Sequence, residues 1–230
     1  MKYDCLIVDD EIELANNTCE YLNMFGVKTY TCYNKKECEK FLEENETSII
    51  LLDINLSDGS GFELCKNLRE NTDIPILFIS ARNTDDDKII ALNIGGDDYI
   101  EKPYSLGVLL AKVKVFLKRY VKDNSGNLEK REKYDDGNLV VNYNEQKAFV
   151  KGTECKLTAM EFRLLTYLID NKNKLITKDE LFENVWNDKF TQDGTLNVHI
   201  RKLRMQIEDD PNDPKYIITV WKGGYRFNGN

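Results

Sequence analysis

Three short apolar runs constrain this chain more than any other feature: "CLIVDD" (5–10), "SIILLD" (48–53) and "IPILFIS" (74–80). Runs this continuous read as strands buried on both faces, the pattern of a parallel sheet. "VKTYTC" (27–32) and "DDYI" (97–100) complete a set of five. Helical patterns lie between them. Ala15, Cys19, Leu22 and Phe25 share a stripe that Gly26 stops, and Leu106, Leu109, Leu110, Val113, Phe116 and Leu117 form another. Strand–helix alternation over 1–121 predicts a doubly wound α/β domain with a five-stranded parallel sheet.

The middle run poses a chemical question, because it ends in Asp53. A carboxylate in apolar surroundings is costly unless a cation compensates it. In open parallel sheets, ligand groups gather outside the carboxyl ends of the strands. There the chain brings Asp9, Asp10, Asp53, Ser80, Glu101 and Lys102. Clustered carboxylates repel unless a cation sits between them. Oxygen donors without His or Cys suit Mg²⁺. A carboxylate nucleophile beside Mg²⁺ is the chemistry of an aspartyl phosphate. Lys102 would neutralise one phosphoryl oxygen, and the Ser80 hydroxyl would hydrogen-bond another.

The polar stretch "KDNSGNLEKRE" (122–132) reads as a linker. Residues 133–230 then change pattern: short alternating strands, three helical segments and a terminal hairpin, "KYIITVWKGGYRF". The formal net charge of −8 falls entirely in 1–121, so only a local basic patch in the second half would meet a polyanion. No apolar run approaches the roughly 18 residues of a membrane span, and the start lacks the apolar core of a signal peptide. A cytoplasmic protein without membrane contact is expected. Six cysteines with no C-x-x-C spacing are expected to be buried free thiols.

In "GTLNVHIRKLRMQI" (194–207), Leu196, Ile200, Leu203 and Ile207 form one stripe. The opposite face carries Val198, Arg201, Lys202 and Met205, flanked by His199 and Arg204, with no acid in the segment. An apolar-backed helix with a basic outer face fits a DNA major groove. A solvated charged face would fit equally. The hairpin tip Lys222-Gly223-Gly224, a basic turn within reach of a neighbouring groove, decides for DNA.

The motifs "LIVDDE", "IILLDINLSDGSGFEL", "ILFISAR" and "GGDDYIEKPY" resemble those of two-component receiver domains, across 1–121. "LTAMEFRLLTYLIDNKNKLITKDELFENVW", "VHIRKLR" and "TVWKGGYRF" resemble the winged helix-turn-helix effector domain of OmpR/PhoB-type regulators, across 133–230. The resemblance implies that Asp53 accepts a phosphoryl group from a partner histidine kinase. It implies Mg²⁺ on Asp10, Asp53 and the Asn55 backbone carbonyl, with Asp9 acting through water. Ser80 and Tyr99 become a switch pair, and Lys102–Pro103 a cis peptide. Double-stranded DNA is the implied partner, approached by Thr195, Val198, His199, Arg201, Lys202 and Arg204, with Lys222 on the wing. Phosphorylated receivers are expected to pair as homodimers on tandem sites, through Asp98 with Lys112 and Asp97 with Arg119. Val108 stands where an acid would meet Lys88, which leaves that lysine unpaired in this reading. RNA polymerase is a further candidate partner.

Departures from the family pattern are Ser57 for a frequent proline, Gly194 for arginine, Asn197 for aspartate, and "WKGGY" for R-G-x-G-Y. The chain is expected to assist its own phosphotransfer and dephosphorylation without being an enzyme. Two alternatives are a DNA-binding regulator that needs no phosphorylation and a phosphatase with an aspartyl-phosphate intermediate. The second is disfavoured because Asn55 stands where such phosphatases carry an acid/base aspartate.

Overall fold

The computed structural model describes residues 1–82, 84–122, 132–186 and 193–229, with backbone alone for 118–122 and 193. The expected linker, 122–132, therefore lies largely outside the described residues. The chain divides into two compact units, Met1–Ser125 and Gly126–Asn230.

The first unit alternates β1 (Cys5–Val8), α1 (Ile12–Met24), β2 (Thr29–Cys32), α2 (Lys35–Glu44), β3 (Ile50–Asp53), α3 (Gly61–Leu68), β4 (Ile76–Ser80), α4 (Asp85–Ile94), β5 (Asp98–Glu101) and α5 (Leu106–Lys122). The five strands form one parallel sheet in the order β2-β1-β3-β4-β5. The order reverses beside β1, so the strand-end crevice opens between β1 and β3. Every residue of β1, β3 and β4 is buried, as continuous apolar runs require of a sheet covered on both faces. Side-chain caps start three of the helices: Asn34 for α2, Ser60 for α3 and Thr84 for α4.

Helix α1 differs from its expected stripe. Its buried residues are Ala15, Thr18 and Leu22, and Phe25 is exposed. The helix closes at Met24 and Gly26 adopts φ 79°, so Phe25 has left the helical register. In α5, Leu109, Leu110, Val113 and Phe116 are buried as expected. All six cysteines are free, and all but Cys19 are buried. Burial pushes the Cys32 thiol up to about 12, which leaves it unreactive at neutral pH.

The second unit opens with an antiparallel sheet, β6 (Lys133–Asp135), β7 (Leu139–Asn142), β8 (Lys147–Val150) and β9 (Thr153–Glu154). Helix α6 (Ala159–Asp170) and the short α7 (Lys178–Leu181) each begin with a capping box, Thr158/Glu161 and Thr177/Glu180. A π-helical turn, Phe182–Trp186, continues α7. Helix α8 (Asp193–Ile207) buries Leu196, Ile200, Leu203 and Ile207, the expected stripe. The hairpin β10 (Ile217–Val220) and β11 (Gly224–Phe227) completes a winged helix.

Candidate functional site

Asp53 is the last residue of β3, and its carboxylate is buried at the strand end. Asp9 and Asp10 follow β1 directly. Each of the three offers an oxygen within 4.8 Å of the others. Lys102, just beyond β5, closes the cluster: its Nζ lies 2.6 Å from Asp53 Oδ2, 2.8 Å from Asp9 Oδ2 and 2.7 Å from Glu11 Oε1. Burial would lower the ammonium's pKa, but the bonds to Asp53, Asp9 and Glu11 outweigh it and hold it above the usual lysine value. Glu11 occupies the N-cap position of α1 without capping it, because its carboxylate turns to Lys102. The sequence reading omitted Glu11, although it stands inside "LIVDDE".

The other oxygens of the cluster take backbone donors. Asp53 Oδ1 accepts from the Asn55 N–H at 3.1 Å, and Asp9 Oδ1 from the Glu11 N–H at 3.0 Å. An all-oxygen donor set of three carboxylates, two of them buried, fits a hard divalent cation such as Mg²⁺. Behind Asp53, Gly61 opens α3, and its N–H donates to the Ile54 carbonyl at 2.8 Å. The Lys102–Pro103 peptide is cis.

Ser80 ends β4 and is buried; its Oγ accepts from the Arg82 N–H at 3.2 Å. The half-buried Tyr99 ring brings its hydroxyl to Ser80 and donates to the Arg82 carbonyl at 2.5 Å. The two expected switch residues are therefore in contact. Arg82, also missed from sequence, donates from Nη2 to Asn55 Oδ1 at 2.9 Å. It thereby ties the segment after β4 to the segment after β3.

Burial is the largest influence on Asp9 and pushes its carboxyl up, against the lowering pull of Lys102. A carboxyl raised in the folded state adds stability below the ordinary carboxylate pKa, and that stability is lost as pH rises through the folded value. Ionised Asp9 is thus a cost at neutral pH. Asp9→Asn should stabilise the chain at pH 7 by about 0.5–2 kcal/mol, the usual yield of relieving one unfavourable site. If the carboxylate cluster binds Mg²⁺ in the folded state, the variant should also show a smaller rise in thermal midpoint on addition of Mg²⁺ than the wild type. Thermal melts with and without Mg²⁺ check both, and an unchanged midpoint would mean that Lys102 already compensates the carboxylate in full.

The expected pairing face needs correction. Asp97 is 0% exposed and bonds Arg69 Nη2 at 2.7 Å within its own chain, so it cannot meet Arg119 of a second copy. The Arg119 side chain lies outside the described residues. Asp98 pairs with Lys112 of the same chain at 2.8 Å. Lys88, expected to be unpaired opposite Val108, forms an ion pair with Glu101. Val108 is exposed.

The DNA face is also narrower than expected. His199 is 0% exposed, packed 5.5 Å from the Trp186 ring with Nδ1 3.9 Å from Glu161 Oε1, so it offers nothing to bases or phosphates. Thr195 is buried. Arg204 turns inward and donates from Nη2 to the Ile217 carbonyl at 2.6 Å and Thr219 Oγ1 at 2.8 Å, tying α8 to the wing. Lys202 Nζ lies 3.4 Å from Glu161 Oε1. The outward face is Asn197, Val198, Arg201 and Met205, with Lys202 at its edge and Lys222 exposed at the hairpin tip.

A strand-end carboxylate cluster bridged by a lysine in one unit and a winged helix in the other define a class: a chain with a signal-accepting unit and a DNA-binding one. The model of the family "Response regulator receiver domain" matches residues 5–114, and that of "Transcriptional regulatory protein, C terminal" matches 152–227. Regulatory protein VanR of Enterococcus faecium is 35% identical over 223 residues, 96% of each chain. VanRc of Enterococcus gallinarum is 32% identical over 227 residues, 98% of each chain. The crystal structure of response regulator DrrB, a Thermotoga maritima OmpR/PhoB homologue, matches over the whole of both chains at 31% identity and TM-score 0.51. The chain belongs to the OmpR/PhoB family of two-component response regulators, as a DNA-binding transcriptional regulator. Among the described residues no helix is long and apolar enough to cross a membrane.

Proposed function

We propose that Asp53 is the phosphoacceptor of a partner histidine kinase and that its phosphorylation controls binding to tandem DNA sites. The observation that carries this reading is the Lys102 ammonium, held on Asp53, Asp9 and Glu11 with Asp10 alongside. Asp53 attacks the phosphorus of the kinase phosphohistidine; a carboxyl O–P bond forms and the histidine N–P bond breaks. Lys102 neutralises a phosphoryl oxygen, and Ser80 donates a hydrogen bond to another. Asp10, Asp53 and the Asn55 carbonyl would hold Mg²⁺, with Asp9 through water; when bound, the ion offsets charge on the transferring group. Movement of Ser80 toward the phosphoryl group would disturb its contact with Tyr99 and so alter the α4-β5-α5 face. Pairing of two receivers would raise the effective concentration of two DNA-binding units on a tandem site. Val198, Arg201 and Lys202 of α8 would face the major groove, with Lys222 on the wing. A protein that meets a kinase and chromosomal DNA would work in the cytoplasm, and RNA polymerase is a further partner in this reading.

Acetyl phosphate with Mg²⁺ should add one phosphoryl group to the wild type and none at that site to Asp53→Asn. Chelation should stop the reaction. The same acid-stable, base-labile adduct on the variant would refute the assignment. Gel shifts with and without the phosphoryl donor test the coupling, and equal DNA affinity in both would point to a regulator that binds without phosphorylation.

A further inference from the structure

We propose that Asp58 is a positioning residue for phosphorylation: by fastening the segment after Asp53 to the start of α2, it holds the Asn55 carbonyl where Mg²⁺ would be bound. The inference rests on the reading of Asp10, Asp53 and the Asn55 carbonyl as the Mg²⁺ ligands, and deepens it.

Residues 54–60 form a narrow excursion between β3 and α3. Asn55–Leu56 pairs antiparallel with Gly59–Ser60, so Ser57 and Asp58 make the tip. The base is closed by the Gly61 N–H on the Ile54 carbonyl, and Leu56 is buried in the core. The tip is exposed to solvent but fastened. Asp58 Oδ1 accepts from the Lys35 N–H at 2.8 Å, and Oδ2 from the Lys36 N–H at 3.2 Å. Those two amides begin α2.

A helix start ordinarily finds acceptors for its first amides in its own N-cap or in water. Asn34, the N-cap of α2, serves the Glu37 N–H at 2.9 Å. The donors of Lys35 and Lys36 go instead to a carboxylate 23 and 22 residues further along the chain. A carboxylate suits the positive end of the helix dipole. Desolvation would raise the Asp58 pKa, but the amides of Lys35 and Lys36 outweigh it and hold the carboxyl below the usual range. The anchor is therefore charged at neutral pH.

Two features make this anchor matter to the chemistry. Asn55 would offer the ion a main-chain oxygen, so the backbone of this segment sets its place and no rotamer change can correct it. The tip also lacks a stiffening ring, because Ser57 stands where the family pattern carries proline. A serine leaves the backbone more freedom than proline would. Asp58 supplies through hydrogen bonds the restraint that the ring would supply covalently.

The experiment is a Mg²⁺ titration by calorimetry on the full chain. Asp58→Ala should bind Mg²⁺ about tenfold more weakly than the wild type, the lower end of the range for losing a group that orients a metal's ligands. Phosphoryl uptake from acetyl phosphate should slow about tenfold at low Mg²⁺ and recover at saturating Mg²⁺, which a general loss of structure would not do. Asp58→Asn keeps one acceptor oxygen and should lie between. Adding Ser57→Pro to Asp58→Ala should restore most of the affinity. Ser57 follows the strand residue Leu56 and holds the turn position that proline favours. Amide exchange across 54–60 should quicken in Asp58→Ala, with or without Mg²⁺, and slow again in the double variant. Glu63→Gln is the charge control: Glu63 is exposed, with Oε2 3.9 Å from where a Cβ on Gly59 would lie. It should bind Mg²⁺ like the wild type. If the wild type binds Mg²⁺ and Asp58→Ala binds it as tightly, the proposal is overturned and the Mg²⁺ reading stands. If Glu63→Gln loses as much affinity as Asp58→Ala, charge rather than anchoring is responsible, and the proposal is again overturned. If the wild type binds no Mg²⁺, both readings fail.

Discussion

Gly61→Ala should abolish phosphoryl uptake and cost the first unit about 3 kcal/mol, the upper part of the usual range for overpacking. A Cβ at this position would lie 2.0 Å from the Asp53 carbonyl oxygen, 2.9 Å from its carbonyl carbon and 3.0 Å from the Ile54 Cα. All three are backbone atoms, so no rotamer change relieves the clash. Either α3 must retreat, losing the Gly61 N–H bond to Ile54, or the end of β3 must move. The second route carries Asp53 away from the 2.6 Å contact with Lys102 that positions it. Gly59 is the control, since a Cβ there meets nothing closer than 3.9 Å. Gly59→Ala should unfold in urea like wild type and accept phosphoryl normally. Urea unfolding and a phosphate-affinity gel on both variants decide the matter; full phosphorylation of Gly61→Ala would show that the strand end tolerates the shift.

Asp97→Ala should destabilise the same unit by about 3–5 kcal/mol, because it leaves a buried cation without its carboxylate. Asp97 Oδ2 accepts from Arg69 Nη2 at 2.7 Å and from the Ile76 N–H at 2.9 Å, at the start of β4. Arg69 also donates to the carbonyls of Gly95 at 2.8 Å and Ile74 at 2.6 Å, so one guanidinium joins the segments flanking β4 and β5. Asp97→Asn keeps an acceptor for the Ile76 N–H and should cost less. The loss should appear in the melting of the chain at every protein concentration. A defect confined to association between copies, with melting unchanged, would instead return Asp97 to an interface.

What was legible from sequence follows from periodicity. Continuous apolar runs exposed β1, β3 and β4, and the strand-end rule then placed Asp9, Asp53, Ser80 and Lys102 on one edge without any knowledge of their contacts. The inner stripe of α8 was equally plain. The residues beside a stripe were not. His199 follows Leu196 by three and precedes Leu203 by four, so a buried face wider than four residues takes it in. Only the position of Trp186 and Glu161, supplied by other elements, shows that the face is that wide. Arg204 and Asp97 were misread for a related reason. A charge on a helix edge or at a strand start looks solvated until its partner, distant in sequence, is known. Glu11 was hidden by chain position, since an acid just before a helix reads as a cap rather than as a lysine's partner.

The ion pairs Lys88–Glu101 and Lys112–Asp98 have a bearing on how two copies would recognise each other. The two acids and two bases of these pairs are already engaged within one chain. Association that used these groups would be an exchange reaction, with each cross-chain contact formed at the expense of an internal one. The count of charge contacts then stays level, and so does much of their salt response. Such a face would contribute selectivity of partner more than strength of binding, because a foreign receiver with a mismatched charge would break internal pairs and make none. Strength would have to come from the apolar side chains exposed beside them, Ile89, Ile90 and Val108.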